Sequence, residues 1–360
     1  MQKILSALSA IGLMIAPVSA QSSDVTFTTE ISGLREPWGV AVLPDGAILV
    51  TERPGALLMA KDDVGSQIGG TPQVAVLGQG GFMDITPARD FETSRTLFLT
   101  YAKPTERGPA TALAAAELSA DSTTLENLRD LFVMSQGSGK SQHFGSRVVE
   151  GTDGTLFLTI GDRGASELAQ DRSVHNGKVV RVNRDGSVPD DNPFIGMEGV
   201  QPEIWSYGHR NAQGMGLDLE GTLWTAEHGA KGGDEINRIK KGANYGWPVI
   251  SYGVNYSGSK IGEGTAKEGM EQPVHYWDPS IAPSGLLVYS GKLFPEWKGS
   301  IFVGSLKSDY IARLAGDPLT EVEQIKTDDT VRVRDIIEAP DGSIVFISET
   351  DGKVMRITPK

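Results

Sequence analysis

The 360-residue chain contains no cysteine. That excludes disulfide cross-links, thiolate metal sites and c-type haem attachment through CxxCH, so packing and any bound ion must hold the fold. Histidine is scarce, five in all, and no pair shows the HExxH spacing of a zinc site. No Rossmann glycine fingerprint is present. Beyond residue 20 no apolar run is long enough to span a membrane. Positive charge is in the minority: 33 Lys and Arg face 46 Asp and Glu, for a formal net charge of −13. A surface this acidic argues against nucleic acid or an anionic membrane as partner, and any anionic ligand must then be met by a local basic cluster. Long helical patterns are few.

What is abundant is glycine, 44 residues, which favours short strands joined by turns. Residues 1–20 stand apart: one lysine, then the run ILSALSAIGLMIAPV, then VSA before Gln21. This is the pattern of a secretory signal, predicting a mature chain from Gln21 that is periplasmic or secreted. Its removal takes away one of the 33 cations and none of the 46 acids, leaving −14.

Across residues 21–360 one pattern recurs, a turn followed by a strand of alternating apolar residues. It reads PDGAILVTER (44–53), SRTLFLTYA (94–102), TDGTLFLTIGDR (152–163), LEGTLWTAEHG (219–229), KGSIFVGSL (298–306) and PDGSIVFISET (340–350). Asp-Gly or Glu-Gly feeding a period-two strand is a hairpin signal. Six such units at irregular spacing predict an all-β, six-bladed β-propeller of four-stranded antiparallel blades, forming one domain. The segment 107–131, rich in Ala, Leu and Glu, reads either as a short helix or as strands interrupted by an insertion.

Four cations fall at corresponding ends of several repeats. Arg332 and Arg334 open the last repeat, Lys307 ends a strand one repeat earlier, and Arg210 lies in SYGHRNAQG at the entry to another. Spaced two apart on a strand, Arg332 and Arg334 point to the same face. In a chain of net negative charge, this convergence suggests a site for a small polyanion. Among the histidines, His175, His209, His228 and His275 read as packing or hydrogen-bonding residues. His143, in KSQHFGSR, precedes a glycine turn into a blade strand, which places it near the channel mouth as a candidate base for an alcohol proton. Asp234 and Glu235 follow a glycine-rich loop, with NYGWP ten residues on. Carboxylate plus turn carbonyls suits a hard cation such as Ca²⁺, although the EF-hand spacing is absent.

These motifs together resemble the soluble pyrroloquinoline quinone (PQQ) dependent sugar dehydrogenases of the glucose/sorbosone type, closest to their bacterial aldose-oxidising branch. The likeness runs from LREPWGVAVLPDGAILVTER through GQGGFMDI, HFGSRVVEGTDGTLFLTIGDRG, SYGHRNAQG, EHGAKGGDEIN, NYGWP and GSLKSDYIARL to RVRDIIEAPDG. It implies the same six-bladed propeller. It also implies oxidation of an aldose at the anomeric carbon to the lactone, with PQQ and Ca²⁺ as cofactors. His143 matches the general base. Arg210 matches the residue that polarises the quinone oxygen, with Asn211 beside it on the cofactor side. Gln79 and Tyr256 match cofactor contacts, and Lys307, Arg332 and Arg334 match the cations that meet the cofactor carboxylates. Glu235 matches a calcium ligand, as does Tyr245 through its backbone oxygen, while Gly229 and Ala230 occupy the loop holding a second calcium on the quinone.

The resemblance implies an external electron acceptor, such as a quinone, cytochrome or dye, and a monomer or homodimer. It departs at Gln142, where glucose-oxidising members carry an aspartate that orients the base. An amide there cannot stabilise an imidazolium ionically. The insert SGSKIGEGTAKEGMEQ (257–272) reads as an exposed charged loop. Two other functions remain open on the same fold: a calcium-dependent sugar lactonase, which needs a central metal with several carboxylates, and a non-catalytic carbohydrate-binding propeller.

Overall fold

The computed structural model describes residues 25–61 and 64–360. The expected export signal, residues 1–20, lies outside the described residues. The six turn-strand repeats are the second strands of six sheets: β3 (Ile48–Glu52), β7 (Thr96–Lys103), β11 (Leu156–Ile160), β15 (Leu223–Glu227), β19 (Ile301–Ser305) and β23 (Ile344–Ser348). They stand out because each follows a tight turn and is buried along its whole length, or nearly so. In the first and third repeats the turn closes in the same way. Gly46 and Gly154 take the left-handed conformation that only glycine adopts freely, at φ 85° and 79°. The preceding aspartate carboxylate accepts the next backbone N–H but one, Ala47 at 3.2 Å and Thr155 at 3.0 Å.

Each sheet has four antiparallel strands, giving the predicted six-bladed propeller. Five blades are consecutive in sequence, from the one running β2 (Pro37–Val42) to β5 (Val64–Ile68) to the one running β18 (Pro283–Val288) to β21 (Thr320–Ile325). The sixth is closed by both ends of the described chain: β22 (Val333–Glu338) and β23 are followed by β24 (Lys353–Pro359), which pairs with β1 (Val25–Ile31). This pairing leaves the ring without an open seam. The alternative helix within 107–131 is not formed. The segment gives β8 (Ala110–Leu118) and β9 (Leu125–Val133). Its alanines serve a strand clamped between two neighbours: Ala112, Ala114 and Ala116 pack toward one blade, Ala110, Leu113 and Ala115 toward the next. Small side chains on both faces allow that close approach.

The first strands of the blades surround the central channel. In five of them the ladder to the second strand slips by a residue or more, between Pro37 and Val40, Phe82 and Ile85, Ala212 and Gly214, Pro283 and Leu286, and Val333 and Ile336. A bulge re-aims the side chains at its position. These bulges place Trp38, Met83, Gln213 and Arg334 around one channel mouth, where all four line a single cavity. Gly214 is required there, since a Cβ would sit 2.3 Å from the Ser284 carbonyl of the next blade.

Below that mouth a buried ionic hub closes the channel. Arg147 Nη1 lies 2.6 Å from Asp84 and 2.8 Å from Asp335, and its Nε donates to the Gln213 carbonyl at 3.2 Å. The remaining carboxylate oxygens accept Val148 N–H at 2.8 Å and Val40 N–H at 3.0 Å. One guanidinium and two carboxylates therefore connect five of the six blades.

Candidate active site

His143 stands on a loop whose backbone is held in an unusual conformation. His143, Gly145 and Ser146 all have positive φ, at 56°, 65° and 82°. For the two non-glycine residues this costs about 1–3 kcal/mol each and requires compensating contacts. The contacts are present. The Gln79 side-chain oxygen accepts the His143 backbone N–H at 2.7 Å, and Asn211 Oδ1 accepts that of Gly145 at 3.1 Å. Gln213 donates to the Gly145 carbonyl at 3.0 Å.

The imidazole is oriented by a carboxylate, but not from the position next to it in sequence. His143 Nδ1 lies 2.6 Å from Asp162 Oδ1, the His side chain being 14% and the Asp 2% exposed. Asp162 lies in the TIGDRG stretch after β11 and supplies the ionic partner that the amide of Gln142 cannot. Gln142 instead packs against Gly164, where an added Cβ would meet its Nε2 at 2.5 Å. Burial raises the proton affinity of Asp162, but hydrogen bonds from His143, Gly164 and Trp247 outweigh it and hold the carboxyl below its usual range. An ionised carboxylate only accepts, so His143 Nδ1 carries a proton, and in the neutral imidazole Nε2 is then the free nitrogen.

Beside this dyad opens a cavity of about 420 Å³ at the channel mouth, within the usual range for a small-molecule site. It brings together Gln79, Asn211, Lys307, Arg332 and Arg334, with Arg53 as an added cation. Arg332 is not on the strand, as its spacing implied. It has φ 47° and precedes β22 (Val333–Glu338). The two guanidiniums still converge, because Glu349 takes both, at 3.1 Å from Arg332 and 2.9 Å from Arg334. One carboxylate between two guanidiniums leaves a net positive charge. Burial, together with Arg332 and Arg147, depresses the proton affinity of Arg334 against the pull of Glu349. An anion in the cavity would relieve that potential.

His228 lines the same cavity and was missed by the sequence, where it reads as a packing residue. Burial pushes it down to about 4 despite Asp234, with Arg210 and Arg334 adding to the shift, and its buried Nε2 has no hydrogen-bond partner. It is a neutral imidazole presenting an unused acceptor. His228 also lines two adjoining cavities. One of about 430 Å³ holds Tyr256, Gly229, Ala230 and Lys307; Tyr256 is 75% exposed. The other, of about 20 Å³, holds Arg210, Gly229, Glu227, Glu235, Tyr245 and Trp247. Arg210 is thus set apart from the other predicted cations, its Nη1 donating to the His228 carbonyl at 3.3 Å.

The small cavity can be tested for a cation. Burial first, then the charges of Glu227 and Asp234, push Glu235 up to about 8, with only Asn237 opposing. Asp234 is committed elsewhere: it accepts Gly229 N–H at 2.8 Å, the Ser280 hydroxyl at 2.7 Å and the N–H of Ile281 and Ala282 at 2.8 and 2.9 Å. The Tyr245 hydroxyl is likewise used, donating to Arg238 O at 2.6 Å and accepting Lys240 N–H at 2.8 Å. That leaves its backbone oxygen as the available donor. Glu227 is engaged as well, by Arg210 N–H and by His209 Nδ1 at 2.9 Å, so Glu235 and turn carbonyls are the donors that fit one hard cation. No group of three or more Asp, Glu, His or Cys suited to a metal occurs among the described residues.

His209 is a supporting residue, fully buried between Ser206 and Glu227 at 2.8 and 2.9 Å and stacked on Tyr245. His175 is packed edge-on to Phe132 and bonded to Ser135. The insert around 257–272 is largely exposed, as read, and tied down by Lys240–Glu271 and Lys267–Glu263 pairs at 2.7 and 2.9 Å.

The fold and site define a class: six-bladed propellers with a carboxylate-bonded histidine near a cation-lined cavity at one channel mouth. The glucose/sorbosone dehydrogenase family model matches residues 34–356, and the chain belongs to that family. Over 337 residues it is 40% identical to the aldose sugar dehydrogenase YliI of Escherichia coli, covering 91% of each chain. It is 29% identical to the quinoprotein glucose dehydrogenase B of Acinetobacter calcoaceticus, covering 94% of this chain and 88% of that one. The apo crystal structure of the E. coli soluble aldose sugar dehydrogenase superposes with a TM-score of 0.89 at 38% identity, over 93% of this chain and all of the other.

Proposed function

We propose that the protein is an exported aldose dehydrogenase that oxidises the anomeric hydroxyl of a sugar to the lactone, with PQQ and Ca²⁺ as cofactors. The observation that carries this reading is the His143–Asp162 dyad beside a cavity whose cations share too few carboxylates. Relatives named for aldose and for quinoprotein glucose dehydrogenation support the substrate class and cofactor. When bound, PQQ would supply the hydride acceptor and calcium the Lewis acidity, chemistry that no side chain here can provide.

The chain supplies binding, orientation and the base. Lys307, Arg332 and Arg334 would meet the cofactor carboxylates, and Gln79 and Asn211 would contact it while holding the His143 loop. Orphaned His228 Nε2 would accept the cofactor's pyrrole N–H. Tyr256 would cover the exposed side, and Arg210 would stand at the quinone oxygen. His143 Nε2 takes the hydroxyl proton, and Asp162 stabilises the imidazolium that results. Glu235 and the Tyr245 carbonyl would hold one calcium; the Gly229 and Ala230 carbonyls would serve another on the cofactor. Electrons would leave to an external acceptor, and residues 1–20 would direct export.

The purified protein reconstituted with PQQ and Ca²⁺ is expected to reduce a dye in the presence of aldoses, and to lose that activity when either is left out. Tight PQQ binding with no aldose oxidation would refute the substrate assignment, and lactone hydrolysis without PQQ would favour a lactonase. His228→Leu, which leaves a donor on the ligand unmet, should weaken PQQ binding about tenfold. His228→Gln, which restores an acceptor, should recover most of it. Fluorescence titration distinguishes the two, and equal affinity in the leucine variant would remove His228 from the site.

A further inference from the structure

The Asp162 carboxylate is held by more than the histidine it orients. Oδ1 accepts from His143 Nδ1 and from Gly164 N–H at 2.7 Å, while Oδ2 accepts the indole N–H of Trp247 at 2.9 Å. Trp247 is itself fixed by the backbone. Its N–H donates to Gly208 O at 2.9 Å, and its carbonyl accepts Gln170 Nε2 at 2.8 Å. The Arg210 guanidinium lies 5.3 Å from its ring centroid. The indole N–H can only donate, and so can the Gly164 amide. These two donors hold the ionised carboxylate in place, with an acceptor oxygen toward each.

We propose that Trp247 is a positioning residue for proton removal: its indole N–H takes Asp162 Oδ2 and so holds Oδ1 against His143 Nδ1, where the ionised carboxylate keeps the Nδ1 proton and leaves Nε2 as the acceptor. Residues from two separate blades thus hold one carboxylate. Trp247 follows β16 (Asp234–Ile239) of the fourth blade, whereas the dyad belongs to the third. The inference rests on His143 being the base for its catalytic consequence, but not for the tautomer itself.

A substitution pair separates positioning from mere packing. Asp162→Asn offers one acceptor edge and one donor edge. If its oxygen faces His143 and Gly164, its NH₂ opposes the Trp247 N–H. If it flips, the NH₂ faces His143 and Gly164 and forces the opposite tautomer. Trp247→Phe removes the opposing donor, so the double variant can turn its oxygen toward His143 without conflict. Expected values of kcat are a loss of about tenfold for Trp247→Phe, with KM within about twofold, and about 10³-fold for Asp162→Asn. The double variant should recover about tenfold over Asp162→Asn, a non-additive gain that independent structural damage does not produce.

The tautomer is read in the cofactor-free protein by long-range ¹⁵N–¹H correlation of its five histidines at about pH 8, where free imidazole is neutral. The wild type should show His143 protonated at Nδ1, Asp162→Asn a shift toward Nε2–H, and the double variant a return. A wild-type tautomer in both single variants, or a double variant worse than Asp162→Asn, would overturn the proposal. Because these spectra need neither PQQ nor turnover, inactivity of the reconstituted protein would count against the dehydrogenase reading alone.

Discussion

His143→Ala is expected to lower kcat with any aldose by about 10²–10⁴-fold, the usual worth of a positioned general base. PQQ affinity should change by less than about threefold, because a tenfold change needs about 1.4 kcal/mol of lost binding and the cofactor's carboxylates would be met elsewhere. Those contacts would come from Lys307, Arg332 and Arg334, which line the cavity from other blades. The dyad is also separable from its scaffold. The loop is held through the His143 backbone N–H and the Gly145 amide, so removing the imidazole leaves Gln79 and Asn211 their partners. Steady-state dye reduction and PQQ titration on the same preparation check both halves. Retained turnover would transfer the role of base to another group.

Arg147→Met should be the most damaging single change to stability. It leaves Asp84 and Asp335 buried without their shared cation. Breaking a buried pair in this way costs about 3–5 kcal/mol, which for a chain of this length lowers Tm by about 4–7 °C. The loss should depend on pH. Burial pushes Asp84 up to about 7, against Arg147 and with Asp335 adding to the rise. A carboxyl whose folded value is raised contributes stability below its unfolded value, near 4, and loses it as pH climbs through 7. Without Arg147 that loss deepens, so the variant should fall further behind the wild type at pH 8 than at pH 5 when thermal unfolding is followed by circular dichroism. An equal deficit at both values would mean that the hub carries no proton-linked energy. The consequence reaches the site, since the Arg147 guanidinium lies 4.7 Å from the centroid of Trp38, which lines the cofactor cavity.

The blade count was legible in the sequence because each second strand follows a tight turn and is almost wholly buried, so its pattern repeats cleanly. β8 was ambiguous because a strand clamped between two blades uses alanine on both faces, which on composition alone resembles a helix. The convergence of Lys307, Arg332 and Arg334 was legible from their places in the repeats, and the structure brings them to one cavity. Asp162 was not, although its TIGDRG stretch stood in view. Nothing local shows that a chain reversal brings it under a histidine nineteen residues earlier, and the search for an orienting acid stopped at the adjacent Gln142. Trp247 and His228 were hidden for a similar reason. One makes a hydrogen bond between blades, the other has an acceptor left unpaired by the surrounding packing. The hub residues Asp84, Arg147 and Asp335 become meaningful only when five blades converge on the axis.

The central claim is that this site oxidises an aldose through its own bound quinone. Anaerobic mixing of the PQQ- and Ca²⁺-loaded protein with one aldose, without dye, tests it directly. Quinone absorbance should disappear in a single first-order phase, with one lactone formed per site, and His143→Ala should slow that phase by the factor given above. Unchanged absorbance with PQQ firmly bound, or sugar converted without any loss of it, would contradict the account.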